Sequence, residues 1–436
     1  MAALCAAGLM LSGCPITSGS KYTVGGTVTG LSGSGLVLQI NGGDGLSFTG
    51  SGGFVFGTRL ANNATFAVTV STQPSNPTQN CTVRNGSGTI DKTSISNVLV
   101  SCTQQTGRFA YVANRQSNSI SAYGINPTSG ALVPLSGSPF TSSGTTPTAL
   151  SVDPNGQFLY VANAGSNNVS VYSINAATGA LTAVGFPTAT GNGPGAVIVD
   201  PTDHFLYVAN LTDDSVSGFV LQSGSLTPVA GSPFSVGAQP ATLTFEPNGN
   251  FLYVTNFASN SVSAFLLDQA SGILSAISGS PFGTAAAPIS LSIDPTETYA
   301  FVADNSAESI ASYSLNDTTG LLTQVSGSPL AAGSAVEALT VDPAGRFVFA
   351  ANAGAANQVA SYAITPASGI LTFQSSAATD ALPIGISLDP SGTFLYTVNF
   401  NSNDVSAYTV SATGVLTAVA GSPFAAGVQP HSIAID

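Results

Sequence analysis

From residue 109 onward one hydrophobic phrase recurs. Phe109-Ala110-Tyr111-Val112-Ala113-Asn114 is apolar at every position but the last. It returns as Phe158 to Asn163, Phe205 to Asn210, Phe251 to Asn256, Tyr299 to Asp304, Phe347 to Asn352 and Phe394 to Asn399, at intervals of 46 to 49 residues. A short continuous apolar run closed by a turn residue predicts a strand buried on both faces. In the second unit further strands are expected at Thr148 to Asp153, Val169 to Ile174 and Leu181 to Val184, separated by Asp-Pro-Asn-Gly, Ala-Gly-Ser-Asn and Asn-Ala-Ala-Thr-Gly. Four strands per unit and seven units predict an all-β ring, a seven-bladed β-propeller with four-stranded blades. An open solenoid would instead need capping units at both ends, and the sequence has none.

The ends of the repeat support closure. It begins at Phe109 with a second strand and stops at Asp436 after a first strand, His431 to Ile435. The C-terminal strand is therefore expected to complete the blade begun at the N-terminal end, a clasp that leaves the ring no free edge. Two further markers keep the period. One is Asp153-Pro154, Asp200-Pro201, Glu246-Pro247, Asp294-Pro295, Asp342-Pro343, Asp389-Pro390 and the terminal Asp436; the other is Gly-Ser-Pro-Phe at 137, 231, 279 and 421, with a variant at 327. The second unit alters that last motif and the sixth lacks it. The Asp-Pro pairs read as turn devices, in which the carboxylate accepts backbone N–H groups and Pro fixes φ. The asparagine ending each second strand, Asn114 through Asn399, reads as a turn former bonding its own backbone.

The segments Tyr160 to Asn163 and Tyr253 to Asn256, followed by Asn168-Val169-Ser170 and Asn260-Ser261-Val262-Ser263, and the Thr-Gly-x-Leu-Thr runs at 178 and 413, carry a resemblance. They look like the YVTN or lactonase-type seven-bladed propellers, a group that includes 6-phosphogluconolactonase-like enzymes. The resemblance covers residues 109–436 and implies the fold; lactone hydrolysis is the activity it would imply. Its motifs are blade-forming and say less about chemistry.

Before the ring, residues 22–102 alternate in short bursts such as Leu36-Val37-Leu38-Gln39-Ile40 and Phe66-Ala67-Val68-Thr69-Val70, separated by Asn-Gly and Gly-Gly turns. This predicts a small antiparallel β-sandwich of immunoglobulin-like size, joined to the ring by a linker at 103–108. Residues 1–13 are apolar and end in Leu11-Ser12-Gly13 before Cys14. That pattern resembles the lipobox of bacterial lipoproteins, with Cys14 as the acylated residue and 14–21 as a tether, although no Lys or Arg precedes the apolar stretch. The resemblance implies an exported protein held in the cell envelope by a lipid anchor, at the outer membrane or the cell surface. Such a compartment favours pairing the two remaining cysteines, Cys81 and Cys102.

Composition narrows the ligands. The chain carries 7 Lys plus Arg against 20 Asp plus Glu, a net charge of −13, and only 6% charged residues, where soluble domains average about 25%. No basic patch exists to bind nucleic acid. Phosphorylated substrates are disfavoured too, because the ring holds only Arg108, Arg115 and Arg346 and no Lys. No metal and no cofactor is expected, since each marker acid stands alone in its blade.

In propellers, ligands meet the channel mouth on the face carrying the loops into each first strand and between second and third strands. The residue five before each marker gives a rim of Thr148, Gly195, Ala241, Ile289, Glu337, Ile384 and His431. His431, Glu337 and Arg115, which follows Asn114 on the same face, form a candidate base, orienting charge and oxyanion stabiliser for lactone hydrolysis. Acids in neighbouring loops, Asp213, Asp214, Asp304, Glu308 and Asp404, would make the mouth negative and attract a cationic ligand. The expected role is an envelope module binding a protein, glycan or small molecule through this face. The alternative is hydrolysis of an unphosphorylated lactone.

Overall fold

All described secondary structure is β-strand. The computed structural model describes residues 20–31, 35–72, 79–104, 109–333 and 335–436, so Cys14 and residues 15–19 of the expected tether lie outside the described residues, while Lys21 already pairs with Ala61 in a short strand. The chain divides into two compact units, Met1–Thr106 and Gly107–Asp436.

The smaller unit has two four-stranded sheets. One runs Gly52–Val55, Val24–Thr29, Ile95–Gln104, Gln79–Arg84; the other runs Gly43–Phe48, Leu36–Ile40, Thr65–Thr72, Ser87–Thr89. Alternate residues from both, including Val24, Val28, Leu36, Leu38, Phe54, Phe66, Val98 and Val100, share one core, as period-two patterning requires. The pairing is not antiparallel throughout. Val24–Thr29 and Ile95–Gln104 run parallel, because they stand at opposite ends of the unit's sequence and the chain between them makes the crossover that parallel pairing needs. At Gly26 a Cβ would sit 1.7 Å from the Val98 carbonyl oxygen, so only glycine admits this approach. Cys81 and Cys102 are directly opposite in register and form a disulfide.

The larger unit is a ring of seven sheets. Blades are numbered by the order of their second strands. Blade 1 joins Pro430–Ile435 to Phe109–Asn114, Ser119–Ile125 and Leu132–Pro134, so the C-terminal strand is the innermost of that blade. The inner strands of blades 2 to 7 are Pro147–Val152, Pro194–Val199, Pro240–Phe245, Pro288–Ile293, Val336–Val341 and Pro383–Leu388. Each second strand sends alternate residues to two neighbours. Tyr207 and Ala209 pack with blade 4, while Leu206 and Val208 pack with blade 2. Seven such inter-blade clusters exist, one joining blade 7 to blade 1, so the ring is closed by packing as well as by the clasp.

The repeated motifs have physical roles. Every marker carboxylate accepts the N–H of the residue that opens its second strand, as Asp389 does from Phe394 at 2.7 Å and Asp294 from Tyr299 at 2.6 Å. The second-strand tyrosine ties one blade to the next: Tyr207 donates to the Gly272 carbonyl at 2.6 Å and Tyr253 to that of Gly320 at 2.8 Å. That glycine has φ +75° at Gly272, and a Cβ there would lie 2.5 Å from the Phe205 ring. The Thr-Gly turn is therefore fixed by backbone conformation and by the aromatic ring of the preceding blade.

Gly-Ser-Pro-Phe completes the third strand. Its serine hydroxyl accepts a third-strand N–H at 2.9 Å, Ser138 from Ala122 and Ser280 from Ala264, where the fourth strand stops short. Blade 6 lacks the motif and solves the same problem by an unbroken eight-residue fourth strand, Leu371–Ala378, that pairs along the whole third strand.

The asparagines differ from expectation. Asn114, Asn210 and Asn256 are buried and donate from Nδ2 to two serine hydroxyls on the third strand, Asn256 to Ser261 at 3.1 Å and Ser263 at 2.9 Å. They pair strands side chain to side chain; the accompanying Asn-x-Val-Ser serines are their partners.

Candidate functional site

The seven inner strands enclose a central cavity of about 390 Å³ that includes all seven rim positions, Thr148, Gly195, Ala241, Ile289, Glu337, Ile384 and His431. One residue farther along each strand stand small or hydroxyl side chains such as Ala149, Thr242, Ser290 and Ser432. Beyond these come Leu150, Val197, Leu243, Leu339, Ile386 and Ile433, an apolar floor. Among the described residues no Lys or Arg lines it. The volume suits a small organic molecule.

His431 is held by its own ring. Its Nδ1 lies 2.8 Å from the Thr148 carbonyl oxygen of the next blade, and a carbonyl only accepts, so Nδ1 carries the proton and Nε2 keeps the lone pair. Burial pushes its pKa down to about 4, the Thr148 carbonyl opposes this, and the Arg115 charge adds to the lowering. The imidazole is neutral at physiological pH. The Phe400 ring packs edge-on against it, centroids 6.1 Å apart. Glu337 accepts from Asn305 Nδ2 at 3.0 Å; burial raises its pKa and that hydrogen bond partly offsets the rise. Blade 7, with Ile384, stands between the two groups.

The wall itself is stitched by hydroxyls. Thr148 Oγ1 donates to the Pro194 carbonyl at 2.7 Å and Thr242 Oγ1 to the Ile289 carbonyl at 2.8 Å, each from one blade to the next. His431 makes the equivalent link from blade 1 to blade 2.

Of the expected catalytic trio, His431 and Glu337 both line the cavity, with blade 7 between them, and Arg115 does not. Arg115 is exposed on the loop after Asn114, tied through its backbone N–H to the Gln429 carbonyl, near enough to influence His431 by charge alone. None of the five loop acids lines the cavity. Asp213 is bonded to the Asn192 backbone and amide at 2.7 and 2.9 Å. Asp214 accepts the N–H of Gln239 in the next blade's entry loop, the role Asn260 plays toward Ala287. Glu308 is exposed in blade 5. Asp304 departs most from the expected negative mouth: it is fully buried, and burial pushes its pKa up to about 7, only partly offset by the Thr284 hydroxyl beside it. Asp404 is taken up by Asn399 Nδ2 at 2.6 Å. Its neighbour Asp380 was not among the expected acids; comparing units position by position marks it, because five of the other six have glycine there.

The comparisons with known proteins agree with this architecture. The family model described as "Lactonase, 7-bladed beta-propeller" matches residues 65–191, 185–287, 232–339 and 330–428. Among solved structures, a candidate 6-phosphogluconolactonase from Bacteroides uniformis is 21% identical with TM-score 0.68, covering 76% of this chain and 100% of that one. A second such protein, from Bacteroides fragilis, is 18% identical with TM-score 0.68, covering 76% and 98%. The periplasmic gluconolactonase PpgL of Pseudomonas aeruginosa is 19% identical with TM-score 0.66, covering 75% and 98%. At these identities the likeness is one of fold. No curated protein matches the chain.

Proposed function

Because the chain belongs to the lactonase family of seven-bladed β-propellers, we propose that it binds a small, uncharged, oxygen-rich molecule in the central cavity, from the mouth face. The observation carrying this reading is the lining: two polar groups, His431 and Glu337, in a wall otherwise of small, hydroxyl and apolar residues without a cation. A phosphate would enter it unpaired, at the cost of desolvating two negative charges. Calorimetry of the full chain with glucono-lactone and with its 6-phosphate tests the preference. The uncharged lactone is expected to bind at least tenfold tighter; equal or reversed affinities would refute the reading.

Hydrolysis of that lactone is the second reading, favoured by the fixed tautomer of His431. With Nδ1 on the Thr148 carbonyl, Nε2 is an acceptor held ready to take a proton from water, and Glu337 supplies a second polar group across Ile384. If His431 is the base, lactone opening should vanish in His431→Ala and its acid limb should fall near pH 4, where this imidazole gains its proton. A limb near 6.5 would place the base elsewhere.

The envelope setting rests on Leu11-Ser12-Gly13-Cys14, and the Cys81–Cys102 disulfide is consistent with an oxidising compartment. Labelled palmitate should enter the chain and be lost in Cys14→Ser.

A further inference from the structure

Two of the acids meet on the mouth face of blade 7, and the other blades provide the comparison. The first residue of the loop into each inner strand lies over the second-strand asparagine and is glycine in five of the other six blades. At Gly144 and Gly427 a Cβ would come within 2.4 and 2.5 Å of the Asn163 and Asn114 amides. In blade 7 this residue is Asp380. The residue paired with the asparagine on the third strand is serine in four other blades and Asn168 or Gln358 in the remaining two. In blade 7 it is Asp404, opposite Asn399. Two neutral positions have thus both become carboxylates in one blade, within hydrogen-bonding reach of each other. Among the described residues no Lys or Arg pairs with either.

Asn399 supplies the second observation. It is fully buried, its Nδ2 lies 2.6 Å from Asp404, and its Oδ1 has no partner, as is also true of Asn210, Asn256 and Asn352, around which no pair of carboxylates stands. In blade 1 the corresponding Oδ1 accepts the N–H of Gly427 at 3.0 Å, so this atom faces the position that Asp380 holds in blade 7. What blade 7 adds to a recurring orphan amide oxygen is a carboxylate on the position it faces and a second on the facing strand, an oxygen-rich cluster without a positive member.

We propose that Asp380, Asp404 and Asn399 hold a hard divalent cation of the calcium class on the mouth face of blade 7. Such an ion takes oxygen ligands and completes its shell with water and backbone carbonyls, and exposed Asp380 leaves that side open. The site adjoins the cavity wall, since Phe400 follows Asn399 and packs on His431, and Ile384 closes the loop that Asp380 opens. The proposal does not depend on what the cavity binds.

The test is calcium chloride titrated calorimetrically into the chelator-treated full chain, with terbium(III) luminescence sensitised through nearby Tyr408 as a second readout. Asp380→Gly and Asp404→Ser install residues that other blades already use, so both variants should fold, which circular dichroism checks. One ion per chain is expected, weakened at least tenfold in each variant and unchanged in Asp213→Asn. No calcium binding by the wild type, or binding that survives both substitutions, would overturn the proposal; in the former case the two acids share a proton instead.

Discussion

Asp304 gives a quantitative handle on how the ring tolerates polar groups. It occupies the second-strand position held by asparagine in the other six blades, and one partner has changed around it: Ala311 replaces a serine, while the retained Ser309 Oγ is unpartnered. A carboxylate cannot donate to Ser309 as Asn256 Nδ2 donates to Ser261. Its pKa is raised from 3.8 to about 7 in the folded chain, so the native state retains a proton that the unfolded chain releases. Stability is therefore lost as pH rises from about 4 to about 7 and stays lost above. The shift corresponds to about 4 kcal/mol, with no discount for exposure because the side chain is fully buried. Asp304→Asn removes the titration and restores a donor to Ser309, about 1 kcal/mol more and independent of pH. Urea unfolding of variant and wild type between pH 4 and 9 should show the variant's advantage growing from about 1 kcal/mol to several. An advantage that does not change with pH would refute the argument that a buried acid with a raised pKa resides there.

Gly272→Ala, which forces φ +75° on an alanine and drives its Cβ to 2.5 Å from Phe205, should destabilise the ring by about 2 kcal/mol or more. Gly283→Ala, with no atom within 4 Å, should be nearly neutral, and equal melting shifts would contradict the steric account. Reducing Cys81–Cys102 should lower the stability of the smaller unit by roughly 3 kcal/mol, moving one thermal transition and leaving the other; a shift of the ring's transition would contradict this.

The sequence by itself determined the ring. Seven recurrences of an apolar second strand, each closed by Asn or, once, by Asp304, can bury those strands only by stacking blades on both sides, and the offset of the chain ends specifies the clasp. The same periodicity located the cavity rim, because counting back from a marker that caps a turn reaches the same height on every inner strand. The low charge content follows as well: second strands buried on both faces have no room for ionised groups.

Side-chain partners were decided by tertiary structure. Asn256 reads as a turn former from its neighbours in sequence, yet its amide meets serines on the facing strand, a pairing that register alone creates. Asp304 and Asp213 look alike in sequence; one is sealed between strands and the other lies in solvent, because one sits at a strand end and the other one loop farther. His431 and Arg115 come from opposite ends of the ring and share a face, but only the inner strand carries its side chain into the cavity wall. The parallel pair in the smaller unit was hidden for a similar reason, since alternation reports which face a residue takes and carries no record of which strand, or which direction, lies beside it.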